Sequence, residues 1–169
     1  VAGWFRHQGG AITEDDLARA KRLGVSPSFH VNHVFRYGPE LRDHIIGPER
    51  AERLMSVGPA VELGHRVSLH ADSPMYPADP MALVRTAVTR KTRHGDQLAG
   101  HFAIDVRSAL RAVTIDAAWQ LGDDHETESI EIGKRADFTV LEQDPFDVAP
   151  DDLDKIPVLS TWLDGLPAV

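Results

Sequence analysis

Cysteine is absent from the 169 residues, which excludes a disulfide framework, a thiolate zinc site and a cysteine nucleophile. That absence fits a reducing compartment, and a cytoplasmic location is the expectation. No apolar run reaches the roughly 18 residues that a membrane-spanning helix needs. Positive charge is in short supply: 18 Lys+Arg stand against 26 Asp+Glu, a net charge of −8. That balance argues against a nucleic-acid-binding surface. A leader is lacking too, since Val1-Ala2-Gly3-Trp4-Phe5-Arg6 has no initiator Met and no basic-then-apolar start. The chain is therefore expected to begin inside something longer. Nucleophile and phosphate signatures are missing as well: there is no G-x-S-x-G elbow, no P-loop and no G-x-G-x-x-G after a strand. Gly9-Gly10 reads as a loop.

What is present is histidine. Nine in 169 residues is the one compositional hint of chemistry, because histidine ligates metals and transfers protons near neutral pH. Taken singly, each reads equally well as a surface or core-edge residue.

Element signals alternate along the first part of the chain. Thr13-Glu14-Asp15-Asp16 starts a helix that Lys21, Arg22 and Gly24 close. Val25 to Val34 reads as a strand, with His33 on one face and His30 on the other. Pro39 to Gly47 reads as loop with room for a turn of helix, and Pro48 opens a helix over Glu49 to Val57 that ends at Gly58. Val67 to Asp72 is a second strand, broken off by Ser73-Pro74. A helix from Pro80 to about Thr92, a helix capped by Asp105, and a short one from Thr114 to Leu121 follow. After Gly122 the pattern turns to β: Ser129–Ile132, Asp137–Leu141, then a hairpin across Asp164-Gly165. The expectation is α/β, then a small β portion.

The strand ending in Asp72 carries the most chemistry. Alternation puts Ser68, His70 and Asp72 on one side, and catalytic groups gather at the carboxyl ends of strands in parallel α/β folds. A carboxylate there can ligate a metal and take a proton from its bound water. It can equally cap the turn that follows. His30-Val31-Asn32-His33 is not the metalloprotease pattern, and His30 and His33 on opposite strand faces should not chelate one ion together.

Ser129-Ile130-Glu131-Ile132-Gly133-Lys134-Arg135-Ala136-Asp137-Phe138-Thr139-Val140-Leu141 resembles the closing motif of the amidohydrolase superfamily. Asp144-Pro145 and Thr161-Trp162-Leu163-Asp164-Gly165 are similar to later parts of the same small β-sandwich domain. Upstream, Ala109-Leu110 and Thr114 to Ala118 resemble its A-L-x-x-x-T-x-x-A-A helix. Leu69 to Pro74 resembles the end of the eighth barrel strand, and Ser26 to His33 the seventh. The best likeness is to amidohydrolase family 3, the YtcJ-like metal-dependent hydrolases.

The resemblance implies the C-terminal part of a (β/α)8 TIM-like barrel over residues 1–121, followed by part of a composite β-sandwich over 122–169. It implies hydrolysis of a non-peptide C–N bond, amide or cyclic amide, by metal-activated water, with one or two divalent ions, zinc first. Asp72 matches the family's strand-eight Asp, a metal ligand and the catalytic base and then acid. His33 matches a pocket-facing strand-seven His, assigned to substrate contact together with His70. The partner expected is a small amide-type molecule, with no nucleic acid and no membrane. The family's His-x-His, bridging Lys and other metal histidines match nothing here, and His7-Gln8 receives no metal role. A complete barrel takes about 250 residues, so the isolated chain is expected to be inactive. The other reading is a non-catalytic truncated remnant acting as a structural or interaction module. Missing barrel strands would leave open sheet edges, possible self-association, and Val31 and Leu69 less buried than their types suggest.

Overall fold

A computed structural model describes residues 3–7 and 12–168. Gly9-Gly10 and the side chain of His7 lie outside the described features. Strand β1 (Gly3–His7) leads to helix α1 (Glu14–Arg22), which starts as its sequence requires. The Thr13 hydroxyl accepts the Asp16 amide at 3.2 Å, three acidic residues fill the first turn, and Gly24 follows the helix at φ +68°. Strand β2 (Val25–Phe29) pairs parallel with β1, Gly3 opposite Val25 through to His7 opposite Phe29.

The strand expected to reach Val34 stops at Phe29. The backbone turns at once: the His33 amide donates to His30 O at 3.1 Å and the Val34 amide to Val31 O at 2.9 Å, opening helix α2 (Asn32–Glu40). The cause is helical apolar spacing, with Val31, Val34 and Gly38 all buried at positions i, i+3 and i+7. In the segment from Pro39, read as loop with a turn of helix, the helical part dominates, α2 running on into a π-helical turn at Leu41–Ile45. Proline lacks the N–H that would bond Phe35 O four residues earlier. The Arg93 amide reaches that carbonyl instead, at 2.8 Å.

The single helix expected after Pro48 is two, α3 (Pro48–Ala51) and α4 (Val57–Glu62), separated by Met55 at φ +53°. Gly58, expected to end the helix, lies inside α4, and the position takes a glycine there because a Cβ would meet the Phe102 backbone at 2.9–3.0 Å. Strand β3 (Ser68–Leu69) is shorter than expected and pairs parallel with the end of β2, Ser28 opposite Ser68 and Phe29 opposite Leu69. The three strands form one parallel sheet in the order β1-β2-β3.

Helix α5 (Pro80–Thr89) is capped by Asp79, whose carboxylate accepts the Ala82 amide at 3.0 Å. It ends sooner than expected, at Arg90 in the left-handed region, φ +55°. A 3-10 turn at Gly100–Phe102 precedes α6 (Val106–Val113), capped by Asp105 as expected, and α7 (Ile115–Leu121), which stops at Gly122. Beyond it, β4 (Phe138–Leu141), β5 (Val158–Leu163) and β6 (Leu166–Pro167) make an antiparallel sheet in that order. Phe138 stacks on Trp162 across it, ring centroids 5.5 Å apart.

Ser129–Ile132 is not a strand. A strand needs a ladder partner, whereas this segment bonds locally: the Glu131 amide donates to Ser129 O at 3.1 Å and the Lys134 ammonium to Ser129 Oγ at 2.6 Å. Val31 and Leu69 are also corrected. Both are buried, 0% and 7% exposed, in one core with Leu17, Phe29, Leu54 and Val84. An open edge exposes backbone N–H and C=O groups, while side-chain faces are covered by helices, here α2 around Val31 and α6 against β3.

Candidate active site

The carboxyl ends of β2 and β3 lie side by side, because Phe29 O accepts the His70 amide at 3.1 Å. This brings together the residues that follow each strand. His30 directly follows β2 and is 1% exposed. Its ring lies 4.3 Å from His33, 4.9 Å from His70 and 5.3 Å edge-on from Tyr76. The expected opposition of His30 and His33 is thus overturned: a helical turn, not a strand, joins them, and i, i+3 residues share a face.

Asp72 is half-buried three residues beyond β3, at φ +56°, a conformation that aspartate tolerates better than most residues. Its carboxylate acts electrostatically on both His30 and His33. Asp72, His33 and His70 therefore converge on one place, with His30 at its centre. Burial, then the neighbouring His33 and His70, push the His30 imidazole down to about 4, against the opposing pull of Asp72 and a hydrogen bond to the Ala71 backbone. Burial likewise lowers His33, again opposed by Asp72. At neutral pH both rings are neutral, fit to accept protons or hydrogen bonds.

The wall is aromatic. Tyr76 is 7% exposed, and burial first, then Tyr37 beside it, pushes its phenol up to about 12. Tyr37 closes on His33 from α2, centroids 5.9 Å apart. The Arg36 guanidinium lies over the Tyr76 ring at 5.2 Å. Among these, His30 and Tyr76 escape the sequence reading. The buried spacing of Val31, Val34 and Gly38 is the signal that identifies the helix and hence the His30–His33 pairing. Nothing local marks Tyr76, which is placed by a three-proline loop.

No group of three or more His, Asp and Glu is arranged to hold a metal ion among the described residues. Asp72 has the chemistry of one ligand, but the donors present do not complete a site.

Residues 4–169 match the amidohydrolase family. The chain belongs to that family. It is 40% identical over 114 residues to the N-substituted formamide deformylase of Arthrobacter pascens, a match covering 68% of this chain and 21% of that protein. It is 26% identical over 152 residues to the putative amidohydrolase YtcJ of Bacillus subtilis, covering 88% of this chain and 28% of that one. Among solved structures, an uncharacterized metal-dependent hydrolase from Pyrococcus horikoshii superposes with a TM-score of 0.73 at 25% identity, over 88% of this chain and 30% of its own. An adenosine deaminase from Xanthomonas campestris with bound zinc shares the fold at a TM-score of 0.68 and 21% identity, over 98% of this chain and 36% of its own. The amidohydrolase chain is thus mixed α/β, with neighbours of the amidohydrolase superfamily. It spans less than a third of the length of the two curated relatives.

Proposed function

We propose that this chain carries the closing part of the active site of a metal-dependent amidohydrolase acting on a non-peptide C–N bond of a small amide or cyclic amide. The observation that carries the reading is the position of Asp72, beyond the last strand of a parallel sheet and against His30 and His33, in a chain matching the family almost throughout. In this reading Asp72 takes the proton of the attacking water and returns it to the leaving nitrogen, while His33 and His70 contact the substrate. A divalent ion, zinc first and one or two in number, would supply acidity to that water when bound. Asp72 would contribute one ligand, the remainder coming from outside the described residues.

The same proposal covers the division into a barrel portion over 1–121 and a sandwich portion over 122–169. It also covers a cytoplasmic location; no described helix is long and apolar enough to cross a membrane. Self-association through the sheet edges at β1 and β3 belongs to it as well. The incomplete donor set favours one other reading for the chain by itself, a non-catalytic structural or interaction module.

The test is Asp72→Asn in the natural full-length protein, with metal content and N-substituted formamide hydrolysis as readouts. We expect kcat to fall by at least about 10³-fold with the fold intact, as loss of both proton steps requires. Activity within tenfold of the parent would refute the role given to Asp72.

A further inference from the structure

One face of α2 leads outward from the buried end of β2. His33 on it is half-buried, while Arg36 and Tyr37, three and four residues further on, share its side of the helix and are exposed. Tyr37 lies 5.9 Å from the His33 ring and 6.4 Å from that of Tyr76. The Arg36 guanidinium sits over the Tyr76 ring at 5.2 Å, and the same ring meets His30 edge-on at 5.3 Å. Tyr76 thus joins the buried histidine cluster to an exposed cation.

That cation is held by rings. Its Cζ is 5.2 Å from the Tyr76 ring and 5.8 Å from that of Phe35, contacts that draw on the π faces and use none of the guanidinium N–H donors. Among the described residues no carboxylate forms an ion pair with it. Arg85 makes the contrast: it lies over the same Phe35 ring at 5.2 Å, yet has Asp154 at 3.6 Å. Glu40, the carboxylate of α2, pairs with Arg93, and Asp43 just beyond it pairs with Arg42 at 2.7 Å. Arg36 therefore stands at the outer end of the candidate site as a preorganised anion-binding group.

We propose that Arg36 is a specificity-determining residue: it binds the carboxylate of an amide substrate whose substituent ends in one. The inference rests on the reading of the cluster around Asp72 as the site of amide hydrolysis. The scissile bond lies at the Asp72 and His33 end, the substituent runs along α2 past Tyr37, and its carboxylate takes paired N–H bonds from the planar guanidinium. Two rings already hold that guanidinium, so little further freedom is lost on binding.

The probes are N-formyl amino acids of graded chain length, their carboxamide twins of the same shape and no charge, and N-formyl diamines, which end in an ammonium group. In the natural full-length protein, kcat/KM is measured with Asp72 intact and Kd by calorimetry in the Asp72→Asn background. We expect the carboxylate to be favoured over its carboxamide twin by about tenfold on both measures, the scale of a charge-assisted pair. Arg36→Gln should bring that ratio to parity, and Arg36→Glu should turn the preference to the ammonium probe; ratios cancel any general loss that a substitution brings. No preference in the parent, or one that survives Arg36→Gln as a preference owed to a bound metal ion would, overturns the inference. So does Arg36→Glu without inversion, or no measurable binding of any probe. If the Kd ratios follow Arg36 but Asp72→Asn still hydrolyses the probes, the anion subsite stands and the role of Asp72 fails. If Asp72→Asn is inactive and the ratios ignore Arg36, the role of Asp72 stands and that of Arg36 fails.

Discussion

Arg90 is the most buried charged side chain in the core, 0% exposed, and replacing it with Met tests how the fold is held. Its guanidinium donates to Leu98 O at 3.2 Å, Met55 O at 3.0 Å and Leu54 O at 2.5 Å. Those carbonyls belong to the turn before α4 and to the segment after α5. Burial draws the guanidinium down to about 10, only partly offset by Glu52. Removing the cation therefore recovers at most about 3 kcal/mol of charge-burial cost. Against that, Leu54 O and Leu98 O lose a buried donor at about 1–3 kcal/mol each, Met55 O loses less because it keeps the Val57 amide at 2.7 Å, and methionine fills the volume without bonding them. At the middle of that range the losses exceed the recovery, so Arg90→Met should destabilise by about 1–3 kcal/mol. Arg90→Lys, which can satisfy some of the carbonyls, should lose less. Urea denaturation followed by tryptophan fluorescence at two protein concentrations measures the change. A midpoint for Arg90→Met within about 0.5 kcal/mol of the parent would show that the three bonds contribute nothing net.

Gly58→Ala should cost about 1–3 kcal/mol, because the new Cβ would meet Phe102 backbone atoms at 2.9–3.0 Å and backbone cannot rotate away as a side chain can; the same denaturation measures it. Stability should fall in acid. His30, His33 and His65 are all held below their ordinary 6.5, mainly by burial, so the unfolded chain takes up protons that the folded chain refuses. Their contribution is fully present above pH 6.5 and is lost as pH falls towards the folded values, for His30 about 4, where it amounts to at most about 3 kcal/mol. A midpoint of unfolding that stayed flat between pH 7 and 4 would contradict this.

Legibility in the sequence followed how local each signal was. Thr13, Asp79 and Asp105 cap their helices through bonds spanning three residues, and all three helix starts were readable. So was the hairpin at Asp164-Gly165, whose central residues have φ +52° and +76°. The strand read over Val25 to Val34 holds for Val25–Phe29 and fails beyond it, because Val31 and Val34 fit a strand and the helical spacing that wins is apparent only once Gly38 is counted as buried. Gly38 is buried because a distant segment sits on it, Thr92 Cγ2 lying 3.0 Å from where a Cβ would be. Ser129–Ile132 failed for the converse reason. Its alternation is strand-like, but no described segment pairs with it, and Ile130 and Ile132 stay 93% and 108% exposed.

The candidate site shows why a small error in element type became a large one in chemistry. Asp72 stands out in the sequence because an apolar, strand-like run leading to a carboxylate before Ser-Pro is a local pattern. His30 was set aside because a strand with period 2 sends it away from His33. Ending that strand five residues sooner, at Phe29 rather than Val34, changes the period to 3.6. His30 then moves from one face to the centre of the cluster, between His33 and the residues after β3. The same end of β2 also holds β3 in register through Phe29 O and the His70 amide. One backbone event, the turn from strand to helix at His30, therefore bears on both halves of the candidate site: His30 and His33 on one side, and the loop that carries Asp72 on the other.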